Sequence, residues 1–112
     1  MHEYGVALEI AQTAYSAAAG RRLSKVTLRV GELSGVFAES LAMYCDLIFR
    51  EKQSRGVEVV SVTIPARFTC ACGTVYAPPR LFDPCPSCGG ADRTVIDGKE
   101  CSLESIEVDS DG

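Results

Sequence analysis

The sequence predicts an α/β (α+β) fold in which two helices pack on a three-stranded sheet, with an inserted, zinc-ribbon-like four-Cys subdomain. Three observations predict it. Two segments repeat their apolar residues with helical period, three others alternate or run β-branched, and four of six cysteines crowd into residues 70–88.

The elements follow in chain order. Residues 4–19, YGVALEIAQTAYSAAA, are good helix formers, with Tyr4, Leu8, Ala11, Tyr15 and Ala18 spaced on one face. Gly20 followed by Arg21 and Arg22 reads as a stop, because glycine takes the left-handed cap and cations suit the carbonyl end. KVTLRVG then alternates, with Val26, Leu28 and Val30 on one side and Thr27 and Arg29 on the other, as in a half-buried strand.

GELSG is a turn offering Ser34 as an N-cap. It enters a second helix, VFAESLAMYCDLIFREKQSRG, with a stripe of Phe37, Leu41, Tyr44, Cys45, Ile48 and Phe49, ended by Gly56. VEVVSVTIP is a β-branched strand closed by Pro65. CSLESIEVD resumes strand character, but its apolar phase slips by one residue between Leu103 and Ile106, which predicts a bulge or an early bend.

The last strand must return to the sheet to find partners. The expected division is therefore an α/β domain from residues 1–66 plus 99–112, interrupted by a structural metal-binding domain over 67–98. Arg67 and the turn Asp97–Glu100 serve as its hinges. There is no internal repeat.

Bulk properties exclude several classes. The chain has 112 residues, 46% hydrophobic and 23% charged, which describes one ordinary globular unit. No apolar run approaches the roughly 18 residues that span a bilayer, and no leader-like pattern opens the chain, so a cytoplasmic protein without membrane association is expected. Net charge is −4, with acid gathered in the terminal EVDSDG. No glycine-rich phosphate loop and no second histidine are present, so catalysis has no visible apparatus and the chain reads as no enzyme.

The insert reads FTCACGTVYAPPRLFDPCPSCGG. Cys85-Pro-Ser-Cys88-Gly89 is a metal knuckle, in which one tight turn aims two sulfurs at one ion and the glycine supplies a positive φ. Cys70-Ala-Cys72-Gly73 supplies the second half, with one residue between the thiols where two is usual. Four thiolates make a closed tetrahedral site suited to structural Zn(II).

Competing readings are a fourth ligand from elsewhere, a disulfide or a thioredoxin-like redox site, although no βαβ context surrounds either pair. A zinc ribbon can also act as a protein- or nucleic-acid-interaction module without metal transfer. Between Arg67 and Arg93 three arginines stand against two aspartates, with no basic aromatic stripe, so nucleic acid is not expected as a partner. Cys45 lies in the apolar stripe and reads as core; Cys101 is core or edge.

The chain opens MHEYGVALEI, with the sole histidine at position 2. His2 and Glu3 read first as a solvated helix start and second as a metal-binding hook. In the second reading the Met1 amine, an amide nitrogen, the His2 imidazole and the Glu3 carboxylate suit a borderline ion such as Ni(II) or Cu(II).

Met1-His2-Glu3, the GELSGV turn after an alternating strand, and the CPSCGG knuckle before a closing LESIEVD strand together resemble the HypA/HybF family. The resemblance covers essentially the whole chain. It implies a nickel metallochaperone that binds Ni(II) at its N-terminus, with His2 the essential ligand, the Met1 amine a further nitrogen donor and Glu3 supporting. Cys70, Cys72, Cys85 and Cys88 would be the structural Zn(II) thiolates, with Cys-Ala-Cys departing from the family's Cys-x-x-Cys. Implied partners are a HypB-type GTPase, the [NiFe]-hydrogenase large-subunit precursor and, in some organisms, urease accessory proteins. A strand returning after an insert also permits domain swapping, so monomer and homodimer are both compatible.

Overall fold

The computed structural model describes residues 3–53 and 56–109. Its order is α1 (Glu3–Ala18), β1 (Leu23–Gly31), α2 (Ala38–Lys52), β2 (Glu58–Ile64), β3 (Arg67–Cys70), β4 (Val75–Tyr76), β5 (Arg93–Asp97) and β6 (Cys101–Val108). Met1 and His2 lie outside the described residues.

The larger sheet has the order β2-β1-β6. β2 runs parallel to the central strand β1, as the α2 crossover requires, and β6 returns antiparallel. Val26, Leu28 and Val30 are buried as their alternation predicts, and Leu23 joins them. The expected bulge is present: Thr27 pairs with Ser105 and Leu28 with Leu103, so Glu104 is the extra residue. Its carboxylate reaches Arg29 Nη1 at 3.3 Å on the open face.

Both helices cover the opposite face. From α2, Leu41, Cys45, Ile48 and Phe49 are buried as expected. Three expectations fail around this helix. Phe37 is 75% exposed, because it is the N-cap residue and precedes the helical turn that would have aimed it inward. Ser34 is not the cap; its hydroxyl accepts the Val36 N–H at 3.2 Å and shapes the turn. The helix ends at Lys52, before Gly56, because Gln53 turns extended and its amide bridges Tyr15 and the Leu23 backbone.

α1 also differs from its predicted face. Ala7, Ile10, Ala11, Ala14 and Ala18 are buried, while Tyr4 and Leu8 are exposed. Alanines let the helix axis approach the sheet closely, so the small residues turn inward. The large ones move to the seam with α2, where Tyr4 meets Tyr44 edge-on at 5.6 Å and Tyr15 meets Phe49 at 5.9 Å. These pairs show that the two helices run parallel. Ala19 (φ 53) begins the left-handed stop one residue before Gly20 (φ 88).

The insert forms a second sheet, order β4-β3-β5. It has its own small core of Ala66, Phe68, Cys70, Tyr76 and Cys85, which takes in Leu33 from the larger body. The junction is a backbone clasp. Gly31 N–H donates to the Glu100 carbonyl at 2.9 Å, and Leu33 N–H donates to that of Gly98 at 2.8 Å. Glu32 Oε1 accepts the Ala66 N–H at 2.7 Å. The molecule extends 57 × 25 × 18 Å. No described helix is long and apolar enough to cross a membrane.

Candidate metal centre

Four cysteines meet at the end of the small sheet. Cys70 closes β3, and the chain turns back at once: Gly73 N–H donates to the Cys70 carbonyl and Cys70 N–H to that of Thr74, both at 2.8 Å. Gly73 holds φ +96, which a side chain would resist. That tight hairpin is how a Cys-x-Cys pair places two thiols on one side.

The facing knuckle is built as predicted. Gly89 takes φ 72 and donates its N–H to the Cys85 carbonyl at 2.8 Å. Ser87 N–H points at Cys85 Sγ (3.4 Å) and Gly90 N–H at Cys88 Sγ (3.3 Å). These amides stabilise charge on sulfur.

All four Sγ atoms lie within 4.8 Å of one another, with Cys70 to Cys88 at 3.5 Å and Cys72 to Cys85 at 3.7 Å. Ligands about 2.3 Å from a tetrahedral ion stand about 3.8 Å apart, so the spacing fits a closed S₄ site. Among the described residues this is the one cluster of three or more candidate metal ligands.

The thiols do not titrate alike. The Thr74 hydroxyl, 3.3 Å from Cys72 Sγ, and then the Thr74 amide bring Cys72 down to about 6. Cys85 is lowered chiefly by the Cys88 backbone amide, with the Ser87 amide adding. For Cys70, the Cys72 amide pulls down, but burial and the neighbouring thiols outweigh it and push it up to about 12. A site that deprotonates readily on one side and holds a proton on the other is completed by a cation, which favours every thiolate at once.

Arg93 supports the centre and was not legible as a functional residue. Its guanidinium stacks 3.8 Å from the Phe68 ring centroid. It also donates to the Leu81 carbonyl at 2.8 Å and the Asp83 carbonyl at 3.3 Å. The arginine thereby fixes the loop that delivers Cys85. Only its position on β5 gives it this role, and β5 itself was not predicted.

The N-terminal residues fare differently. Met1 and His2 lie outside the described residues. Glu3 opens α1, and its Oε2 accepts the Phe37 N–H at 3.3 Å, so the start of α1 stands at the entrance to α2. Cys45 is fully buried in the main core, and Cys101 is half-buried at the head of β6. Neither joins the four-thiol cluster.

Comparison with known proteins agrees with this geometry. The family model described as "Hydrogenase/urease nickel incorporation, metallochaperone, hypA" matches residues 1–108. The hydrogenase maturation factor HypA of Geobacter metallireducens is 32% identical over 110 residues, covering 97% of this chain and 100% of that protein. Its counterpart from Dehalococcoides mccartyi is 33% identical over 115 residues, covering 99% and 97%. The solution structure of the Ni metallochaperone HypA from Helicobacter pylori superposes with TM-score 0.68 at 23% identity, covering 96% of this chain and 97% of that one. A second solution structure of a HypA protein gives 0.71 at 22%, covering 99% and 98%. At these identities the two structures speak for the fold.

Proposed function

The chain belongs to the HypA family of metallochaperones for hydrogenase and urease nickel incorporation, and from that premise we propose that it carries Ni(II) at its own N-terminus. The His2 imidazole is the principal ligand, the Met1 amine a second nitrogen donor and the Glu3 carboxylate a supporting group. The cargo passes to maturing [NiFe]-hydrogenase and, where the enzyme is present, to urease.

The observation that carries this reading is the closure of the four-thiol cluster. Cys70, Cys72, Cys85 and Cys88 hold structural Zn(II), which supplies cross-linking and no open coordination position. A transferable ion then needs other donors. A few nitrogen and oxygen groups at a chain terminus can be exchanged one at a time, whereas a four-thiolate cage would retain its metal. The two separate sheets and cores support the division into a nickel-binding part, 1–66 plus 99–112, and a zinc-binding part, 67–98. The proposed setting is the cytoplasm, with a HypB-type GTPase and the hydrogenase large-subunit precursor as partners and no catalytic step of its own.

The test is nickel titration of the zinc-loaded chain with a native terminus, beside His2→Ala and an N-acetylated form. About one weakly held Ni(II) per chain is expected, lost in both altered forms while zinc content stays constant. Unchanged nickel affinity in His2→Ala would overturn the site.

A further inference from the structure

We propose that the outer seam between α1 and α2 is a docking groove for an acidic amphipathic helix of another protein. That helix lies antiparallel to both, with carboxylates in its first turn. The proposal holds whether or not residues 1–3 bind nickel.

Two contiguous cavities define the groove, and both include Tyr15 and Lys52. The first, about 360 Å³, is apolar and lies between Leu8 and Ile48. Tyr4, which meets Tyr44 across the seam, is about half exposed, and so is Leu47, three residues after Tyr44 on α2 and therefore at helical spacing beside it. The second, about 310 Å³, gathers Arg21, Arg22 and Lys52 around Gly20. None of these three cations has an ion-pair partner among the described residues. Asp109 adjoins at the margin, its N–H donating to the Arg22 carbonyl at 2.8 Å, but three cations around one cavity still leave a local positive excess on a chain of net charge −4, and the complement it fits is anionic.

The helices fix the shape and direction of the occupant. From Tyr4 to Tyr15 the seam spans eleven residues of α1, which is about 16 Å or three turns. Apolar anchors recurring at helical spacing fill such a groove between two helices. Because α1 and α2 run parallel, their carbonyl ends meet at the basic cavity. An incoming helix of opposite direction places its N-terminal turn there, where Asp and Glu are favoured on that helix itself. The cations already ease the two helix C-termini, but three of them around one cavity also repel each other. A carboxylate-rich turn relieves that repulsion.

The probe is a synthetic helix of about 14 residues, apolar at i, i+3, i+4 and i+7, with glutamates in its first turn; a second carries lysines there. Each is titrated into the zinc-loaded full chain, with backbone amide NMR shifts as readout. The acidic helix is expected to bind, with shifts confined to α1, α2 and residues 19–22. Its affinity should fall at least tenfold in the double variant Arg22→Glu/Lys52→Glu and in Leu47→Asp. The lysine helix should gain in the charge-reversed double variant. Thermal unfolding of each variant confirms that it is folded. Equal binding of both helices, insensitivity to charge reversal, shifts elsewhere or no binding at millimolar peptide overturns the proposal. Self-association of the chain that Leu47→Asp abolishes would assign the seam to a second copy instead.

Discussion

Gly31 and Gly98 press their backbones together where the two sheets join: a Cβ at Gly31 would overlap the Gly98 carbonyl oxygen and stand 2.7 Å from that of Glu100. Gly98 also sits at φ +88, with its own missing Cβ 2.8 Å from Ala66 Cα. Backbone on both sides cannot give way as a side-chain tip would. Gly31→Ala is expected to cost about 1–3 kcal/mol, and Gly98→Ala at least as much. Gly5, with nothing within 4 Å of its added Cβ and a helical backbone, is the control. With all three variants compared by thermal unfolding, Gly5→Ala should gain about 0.5 kcal/mol.

Metal removal should separate the two bodies. The small sheet has a two-residue strand and a core of five buried side chains, two of them Cys70 and Cys85 themselves. Chelation is expected to abolish amide hydrogen-exchange protection in β3–β5 while β1, β2 and β6 retain it. Uptake of the proposed Zn(II) must also displace the proton that Cys70 keeps up to about 12. Binding at pH 7 therefore releases protons, and apparent zinc affinity rises with pH. Calorimetry in buffers of different ionisation enthalpy measures the release.

Arg93 links the aromatic core of that sheet to the loop before Cys85. Arg93→Ala loses the stack on Phe68 and leaves the Leu81 and Asp83 carbonyls without their donor. Faster zinc loss to a competing chelator is the expected result. Arg93→Lys should restore little, because an ammonium cannot both stack flat and fork to two carbonyls.

Local patterns were legible in the sequence, and long-range ones were not. The β1 alternation and the phase slip that became the Glu104 bulge are periodicities within one strand, so they survive in any context. The knuckle of Cys85 and Cys88 is likewise set by its own turn. The buried face of α1 is not legible from its large residues, because only the approach of the sheet decides in favour of Ala7 and Ala14. Phe37 looked like part of a helical stripe, but the helix begins one residue later. The clasp of Gly31, Leu33 and Gly98 joins segments more than sixty residues apart, and β4 and β5 exist through their pairing with β3. Neither leaves a local signature.

Cys45 gives the fold a limit in alkali. Burial, and then the nearby Cys101 thiol, push it from the ordinary 9.0 up to about 11. The folded state thus holds its proton more tightly than the unfolded chain does. The resulting stability is complete below pH 9 and is lost as pH rises through about 11, on the order of 2–3 kcal/mol. Thermal melts should show this fall, and Cys45→Ala should flatten it while lowering stability at pH 8 through the cavity it leaves. An equally steep decline in Cys45→Ala would place the cause elsewhere.

Tyr76 tests the small core from the opposite direction. Its ring packs 5.8 Å from that of Phe68, while its hydroxyl is buried with no hydrogen-bond partner among the described residues. Burying a hydroxyl unsatisfied costs free energy, and deleting it keeps every ring contact. Tyr76→Phe is therefore expected to leave zinc content unchanged and to be neutral or stabilising by up to about 1 kcal/mol. Most substitutions in so small a core destabilise, so a gain would identify the hydroxyl as the unfavourable atom. A loss above about 1 kcal/mol would instead mean that a bound water satisfies it, as buried tyrosines commonly require.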